Sequence, residues 1–147
     1  MRPAPVPPSD PAVSARMSRT RGRDTRCELD LRSELHRRGL RYRVHYPVPG
    51  HPRRRIDISF CRLKIAVFVD GCFWHSCPMH ASWPASNAEW WAEKIKSNVA
   101  RDRQTDVFLT EAGWTVIRAW EHENFLAVAD RIEEVILSRR RPLIPPC

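Results

Sequence analysis

The sequence lacks any uninterrupted apolar run of about 18 residues, the length that a membrane-spanning helix needs, so no transmembrane segment is expected. Its first residues, MRPAPVPPSDPAV, contain no apolar stretch followed by a cleavage site, and a secretory signal is therefore not predicted. A chain without these features is expected to remain in the cytoplasm, where thiols stay reduced. Its 5 cysteines are therefore interpreted as metal ligands or free thiols rather than as disulfides.

Acidic residues are scarce relative to basic ones, because 17 aspartates and glutamates face 25 lysines and arginines. The formal net charge of +8 and the isoelectric point of about 9.9 indicate a polyanionic partner, of which nucleic acid is the commonest. A solvated basic surface is the alternative interpretation. The 147 residues are enough for one domain with a single hydrophobic core.

Both ends of the chain differ in composition from the middle. Residues 1–13 are proline-rich and low in hydrophobicity, and they are predicted to be disordered. Residues 140–147 are predicted to form a flexible tail. Between these ends, residues 14–139 are predicted to form one folded domain, in which no internal repeat is visible.

The folded region alternates between helical and strand patterns. Thr25 and Glu28 match a capping box at the start of a helix, and Ser86 and Glu89 repeat that pattern at the start of a longer one. Helices are predicted over 25–38, from Ser86 towards Gly113 and over 126–138, and strands over 41–48, 55–60, 63–70 and 114–121. The order α-β-β-β-α-β-α predicts an α/β fold in which helices flank a mixed sheet, although it does not give the strand order.

The segment FVDGCFWHSCPMH spans residues 68–80, and its last nine residues contain two cysteines and two histidines. Cys72, Cys77 and His80 have the spacing C-x4-C-x2-H, and His122 in the later segment WEHEN is a plausible fourth ligand. Thiolate sulfur and imidazole nitrogen in a tetrahedron suit Zn²⁺, so this set predicts a structural zinc site. Scattered thiols and surface histidines are the alternative, and His75 could replace His80 or His122 in the ligand set.

Carboxylates at the ends of neighbouring predicted strands suggest a second metal. Asp57 lies inside a strand, and Asp70 ends the next strand beside Gly71. Carboxylates that converge at one edge can hold Mg²⁺, which can activate water and stabilise the leaving oxyanion of a phosphodiester. His75 lies a few residues beyond and could transfer the proton in such a step. The alternative is that the strand aspartates are simply solvated.

Phe73 and Trp74 directly follow the candidate zinc ligand Cys72. Aromatic side chains that a metal holds rigidly beside a basic surface could stack on bases or wedge between them. They could equally cap the hydrophobic core beneath the loop.

One face of the long predicted helix is polar. Its apolar stripe consists of Trp91, Ile95 and Val99. Lys94, Asn98 and Arg101 are predicted to lie opposite that stripe. This polar face is either an ordinary solvated surface or one that contacts phosphates and base edges.

Taken together, these motifs resemble the very short patch repair (Vsr) endonucleases. The likeness rests on the T-x-x-E pattern ending at Glu28 and on the segments IDISF, FVDGCFWHSCPMH, EWWAEKIKSNVARDR and GWTVIRAWEHE. It extends from about residue 14 to about residue 139. The resemblance implies a restriction-endonuclease-like core. It also implies an enzyme that nicks DNA on the 5′ side of the thymine in T:G mismatches, which arise when 5-methylcytosine is deaminated.

The resemblance also implies roles for individual residues. Asp57 would be the principal Mg²⁺ carboxylate, the backbone carbonyl of Val69 a second ligand, and His75 the catalytic proton-transfer residue. Glu28 would position groups around His75, although a capping-box glutamate would occupy this place in any case. A catalytic or metal-binding role for Asp70 follows from its chemistry alone, because the family varies at this position. The implied zinc ligands are Cys72, Cys77, His80 and His122.

The implied partner is double-stranded DNA that carries a T:G mismatch. Phe73 and Trp74, with Met17 from an N-terminal segment, would wedge into the duplex, and Lys94 and Asn98 would read the mismatch region. The resemblance further implies a monomer at the bacterial nucleoid, with functional links to a cytosine-5 DNA methyltransferase and to general mismatch-repair proteins. The alternatives are a non-catalytic zinc-containing DNA-binding module and a less selective mismatch or restriction-type nuclease.

Overall fold

The computed structural model describes residues 25–71 and 87–140 of the chain. Its elements follow the predicted order α-β-β-β-α-β-α. They are α1 (Arg26–Arg37), β1 (Arg43–Val48), β2 (His51–Phe60), β3 (Ile65–Asp70), α2 (Ala88–Glu111), β4 (Thr115–Trp120) and α3 (Phe125–Arg140). None of the helices in these two ranges is both long and apolar enough to cross a membrane.

The four strands form one sheet in the order β1-β2-β3-β4. The β1–β2 and β2–β3 pairs are antiparallel, whereas β3 and β4 are parallel, and the long helix α2 lies between them in the chain. A parallel pair needs such a crossover because both strands must run in the same direction. The mixed sheet is therefore confirmed. At its far end Asp70 pairs with Trp120, so β3 and β4 end at the same edge.

Alternate side chains of β3 pack on opposite faces of the sheet, as the period of a strand requires. Ile65 and Val67 join a buried cluster with apolar residues of α1 and α3. Ala66 and Phe68 join a second cluster with Leu109 of α2. The sheet is consequently covered on both faces, which agrees with the nearly continuous apolar sequence of β3.

The first predicted helix is confirmed, and its N-terminus has one half of the predicted capping box. The backbone N–H of Glu28 donates to Thr25 Oγ1 at 3.4 Å. The Glu28 carboxylate pairs with Arg32 one turn further along. Gly39 has φ +77°, and the N–H of Leu40 donates to the carbonyl of Leu35, so the helix ends in the predicted left-handed turn.

The long helix begins near the predicted position, but the predicted capping box is wrong. Its N-cap is Asn87, which has φ 58° and makes no side-chain capping bond, rather than Ser86 with a capping box to Glu89. Asparagine tolerates this left-handed conformation better than most residues do.

The second strand is longer than predicted, because it begins at His51 rather than at residue 55. Its first residues include three consecutive arginines, which hide the strand signal although the backbone pairs with β1. The third strand begins at Ile65 rather than at residue 63, because Lys64 turns with φ 52° before it.

Candidate active site

The candidate active site is centred on Asp57 in the middle of β2. In β1, Val44 pairs with Ile58 and Tyr46 with Ile56, so the residue between them, His45, stands opposite Asp57. His45 has φ 51°, a left-handed conformation that costs a non-glycine residue about 1–2 kcal/mol. The surrounding pairs hold this unfavourable conformation in place, and it interrupts the regular strand beside the aspartate.

Glu28 approaches the same point from the first turn of α1 and is only 3 % exposed. One ligand atom each from Glu28, His45 and Asp57 lies within 4.8 Å of the others. The Nη2 atom of Arg32 pairs with Glu28 and is 3.3 Å from Nε2 of His45. Two carboxylates and an imidazole are a donor set that fits a divalent cation, so the residues present suit a metal centre.

The electrostatics of Asp57 also favour a cation. Burial raises the pKa of Asp57 to about 6, and the negative charges of Glu28 and Asp70 add to that rise. The N–H of Val69, which donates to Asp57 Oδ2 at 2.8 Å, and the nearby His45 oppose it. A carboxylate whose ionisation is unfavourable without a counter-charge is typical of functional sites.

Asp70 lies at the end of β3 and is engaged by an arginine. Both of its carboxylate oxygens accept from Nη1 of Arg118, at 3.0 and 3.1 Å. The Nε and Nη2 atoms of the same guanidinium donate to Asp106 of α2, at 2.9 and 2.7 Å, and its carbon is 4.4 Å from the ring centre of Phe68. Asp70 is therefore part of an ion-pair network, and its predicted role in catalysis or metal binding stays a prediction.

A cavity of about 310 Å³ opens in front of Asp57. Arginines from β2 and α2 form much of its wall, and we call them the basic rim: Arg53, Arg54, Arg55 and Arg101. The guanidinium of Arg54 is fixed by Thr105 Oγ1 at 3.0 Å and Gln104 Oε1 at 2.7 Å. A cavity that is lined by Asp57 and by these cationic side chains suits a phosphate-bearing substrate.

The predicted polar face of α2 only partly matches the helix. Lys94 and Asn98 are half-buried rather than solvated, and Arg101 lines the cavity near the buried Thr105. The prediction that this face lies opposite the buried side of α2 is therefore wrong. Of the three residues in the predicted apolar stripe, Ile95 is buried, whereas Trp91 and Val99 are half-buried.

Several predicted site residues lie outside the described parts of the chain, namely Met17, Cys72, Phe73, Trp74, His75, Cys77 and His80. The remaining predicted zinc ligand, His122, is exposed in the turn after β4. It follows Trp120 by two residues, just as Cys72 follows Asp70 by two in the sequence.

The sequence interpretation did not single out His45, Arg118 or the three rim arginines of β2 as site residues. The signal for Arg118 was present, because an arginine between apolar neighbours in the strand TVIRAW needs a partner if the sheet is covered on both faces. No comparable local signal marks His45.

The chain is similar to DNA endonucleases. The family model described as DNA mismatch endonuclease Vsr matches residues 10–80. The type II nicking enzyme V.NaeI of Lentzea aerocolonigenes is 42% identical over 118 residues, which cover 79% of this chain and 71% of that relative. The DNA mismatch endonuclease Vsr of Escherichia coli is 41% identical over 102 residues, which cover 67% of this chain and 62% of that protein. The α/β architecture with its four-stranded mixed sheet is consistent with a restriction-endonuclease-like core. The chain therefore belongs to the Vsr family of DNA mismatch endonucleases.

Proposed function

We propose that this protein nicks one strand of DNA on the 5′ side of the thymine in a T:G mismatch, in a reaction that requires Mg²⁺. The observation that carries the proposal is the cluster around Asp57, which lines a cavity together with the basic rim, in a chain of the Vsr family. The relative from Escherichia coli is named a mismatch endonuclease and V.NaeI a nicking enzyme. Both descriptions are brought to this chain as part of the proposal.

In the proposed reaction Asp57 and the carbonyl of Val69 hold Mg²⁺. A bound divalent cation lowers the pKa of a coordinated water and neutralises charge on the phosphate. The N–H of Val69 fixes Asp57 Oδ2, so the carboxylate is oriented before substrate arrives. Glu28 lies within the same cluster and positions groups around it. His75, four residues after Gly71 in the sequence, is the proton-transfer residue of the proposed hydrolysis.

The basic rim contributes the sequence-independent part of DNA binding in this proposal. Arg53 and Arg55 are exposed, so their guanidinium groups are available to phosphate oxygens. Arg54 is held against α2 and keeps this part of β2 in place. Met17, Phe73 and Trp74 are proposed to wedge into the duplex, and Lys94 and Asn98 to contact the mismatch region.

The test is to map the nick on labelled duplexes that share one sequence and contain T:G, T:C or a fully paired site, with randomised flanks. We expect a single nick 5′ of the mismatched thymine in the T:G duplex when Mg²⁺ is present, and none in buffer without divalent cations. Equal cleavage of all three duplexes would instead indicate the less selective nuclease. Binding without cleavage under every condition would indicate the non-catalytic module.

We also propose that Cys72, Cys77, His80 and His122 hold a structural zinc ion. The parallel pairing of β3 and β4 supports this ligand set. Because Asp70 pairs with Trp120, the chain segments that carry Cys72 and His122 both leave the sheet at one edge. Such a site would join the loop after β3 to the turn after β4.

Elemental analysis of the purified protein is expected to give one zinc per chain. His122→Ala should lose most of that zinc and unfold at a lower temperature, because structural zinc contributes directly to folding. His36→Ala, which changes an exposed histidine of α1, is the matched control and should keep the zinc content and the unfolding temperature of the unaltered protein. Full zinc content in His122→Ala would remove His122 from the ligand set, and absence of zinc from the native protein would refute the site.

A further inference from the structure

His45 occupies the position in β1 directly opposite Asp57, and the proposed role of Asp57 does not account for it. Its left-handed backbone, with φ 51°, interrupts the regular strand at this residue. One of its ring nitrogens lies within 4.8 Å of a carboxylate oxygen of Glu28 and of Asp57. The imidazole therefore faces the same point as the two carboxylates.

The surroundings of His45 already contain a positive charge. The Nη2 atom of Arg32 contacts Nε2 of His45 at 3.3 Å and pairs with the carboxylate of Glu28. Arginine has no acceptor atoms, so in this contact the imidazole offers a lone pair. A metal ion would likewise need an imidazole lone pair beside carboxylate oxygens, and at Nε2 it would have to displace the guanidinium of Arg32.

We propose that His45 is a further metal-binding residue of this site, and that its nitrogen makes the site select Mn²⁺ over Mg²⁺. The inference rests on the proposed function only in placing a catalytic cation at Asp57. Mg²⁺ prefers oxygen ligands and strict octahedral geometry, whereas Mn²⁺ accepts carboxylate and imidazole together. A site of two carboxylates and one imidazole is therefore expected to bind Mn²⁺ more tightly than Mg²⁺.

The variant His45→Asn tests this assignment, because asparagine tolerates a left-handed backbone but has no imidazole. Binding is measured without DNA, on zinc-loaded protein, from the loss of the free Mn²⁺ signal in electron paramagnetic resonance, and Mg²⁺ affinity is obtained by competition. We expect the variant to lose about 10-fold or more in Mn²⁺ affinity and much less in Mg²⁺ affinity. His36→Asn, at an exposed position of α1, should match the unaltered protein.

Pulsed resonance on the unaltered protein gives a second readout that does not depend on folding of a variant. Bound Mn²⁺ should show a hyperfine coupling to a nitrogen nucleus, and His45→Asn should abolish it. Absence of that coupling, an unchanged preference for Mn²⁺ in the variant, or no Mn²⁺ binding at all would overturn the assignment. Nitrogen-coupled Mn²⁺ in a protein that cuts none of the duplexes would leave the assignment intact and refute the proposed function instead.

Discussion

Substitution of Asp57 by asparagine is expected to reduce nicking of a T:G duplex by at least about 1,000-fold and at the same time to stabilise the protein at neutral pH. In the proposed reaction the loss of activity follows because a neutral amide cannot replace the charged oxygen that would hold the cation, and such a cation contributes several kcal/mol to transition-state stabilisation. The gain in stability has a separate cause, which is the burial of the carboxylate.

The sign of the stability effect follows from the two protonation equilibria. Burial raises the pKa of Asp57 from 3.8 to about 6, so the unfolded chain releases this proton at lower pH than the folded protein does. The folded protein therefore loses stability as the pH rises from about 4 to about 6, and the full loss persists above that range. Asparagine has no proton to release, so the free energy of unfolding of the variant at pH 8 should exceed that of the unaltered protein by up to about 3 kcal/mol.

Urea unfolding of both proteins between pH 4 and pH 8, in buffer without added divalent ions, measures this difference. It should grow between pH 4 and pH 6 and then stay constant. Asp30→Asn, which changes a carboxylate of α1 that is 47% exposed, should show no such growth. A variant that nicks at the normal rate would refute the catalytic assignment. Equal stability of the two proteins at pH 8 would refute the electrostatic argument.

Substitution of Arg118 by leucine is expected to lower the free energy of unfolding by about 3–5 kcal/mol. The guanidinium is paired with Asp70, whose side chain is 9% exposed, and with Asp106. Removing one partner of a buried ion pair leaves the other charge without compensation, which costs far more than the intact pair contributes. Burial alone would lower the pKa of Arg118, but its hydrogen bond to Asp106 and the charge of Asp70 raise that pKa by more, so the guanidinium remains charged.

A double-mutant cycle separates this effect from simple loss of packing on Phe68. Arg118→Leu, Asp70→Asn and the double variant are compared by urea unfolding. The double variant should recover part of the stability that Arg118→Leu loses, because the buried carboxylate is then neutral. Arg103→Leu, at an exposed position of α2, should change stability by less than about 0.5 kcal/mol. If Arg118→Leu lowered the free energy of unfolding by less than about 1 kcal/mol, the ion-pair network would not stabilise the protein as argued.

The sequence predicts much of the fold because its local patterns agree with the final packing. The apolar run of β3 and the capping residue Thr25 each specify their element without help from distant residues. Asp57 could be identified because a carboxylate between isoleucines in a strand is unusual, and the family resemblance gave it a role.

The missed parts of the site depend on contacts between distant parts of the chain. The flanking strand pairs hold the conformation of His45 opposite Asp57, which is 12 residues away in the sequence. No neighbouring residue in the sequence indicates this conformation. Arg118 meets a partner 48 residues away in Asp70, so its role becomes visible only when β3 and β4 are adjacent.

The distortion of β1 has a consequence for the behaviour of this protein at high concentration. Within the described sheet β1 is an outer strand, and a regular outer strand would offer its free backbone groups to another molecule as a template for aggregation. Here the left-handed turn at His45, the missing N–H of Pro47 and the register shift after Pro47 all interrupt that template. The irregular backbone that brings an imidazole to Asp57 thus also protects the edge of the sheet against intermolecular strand pairing.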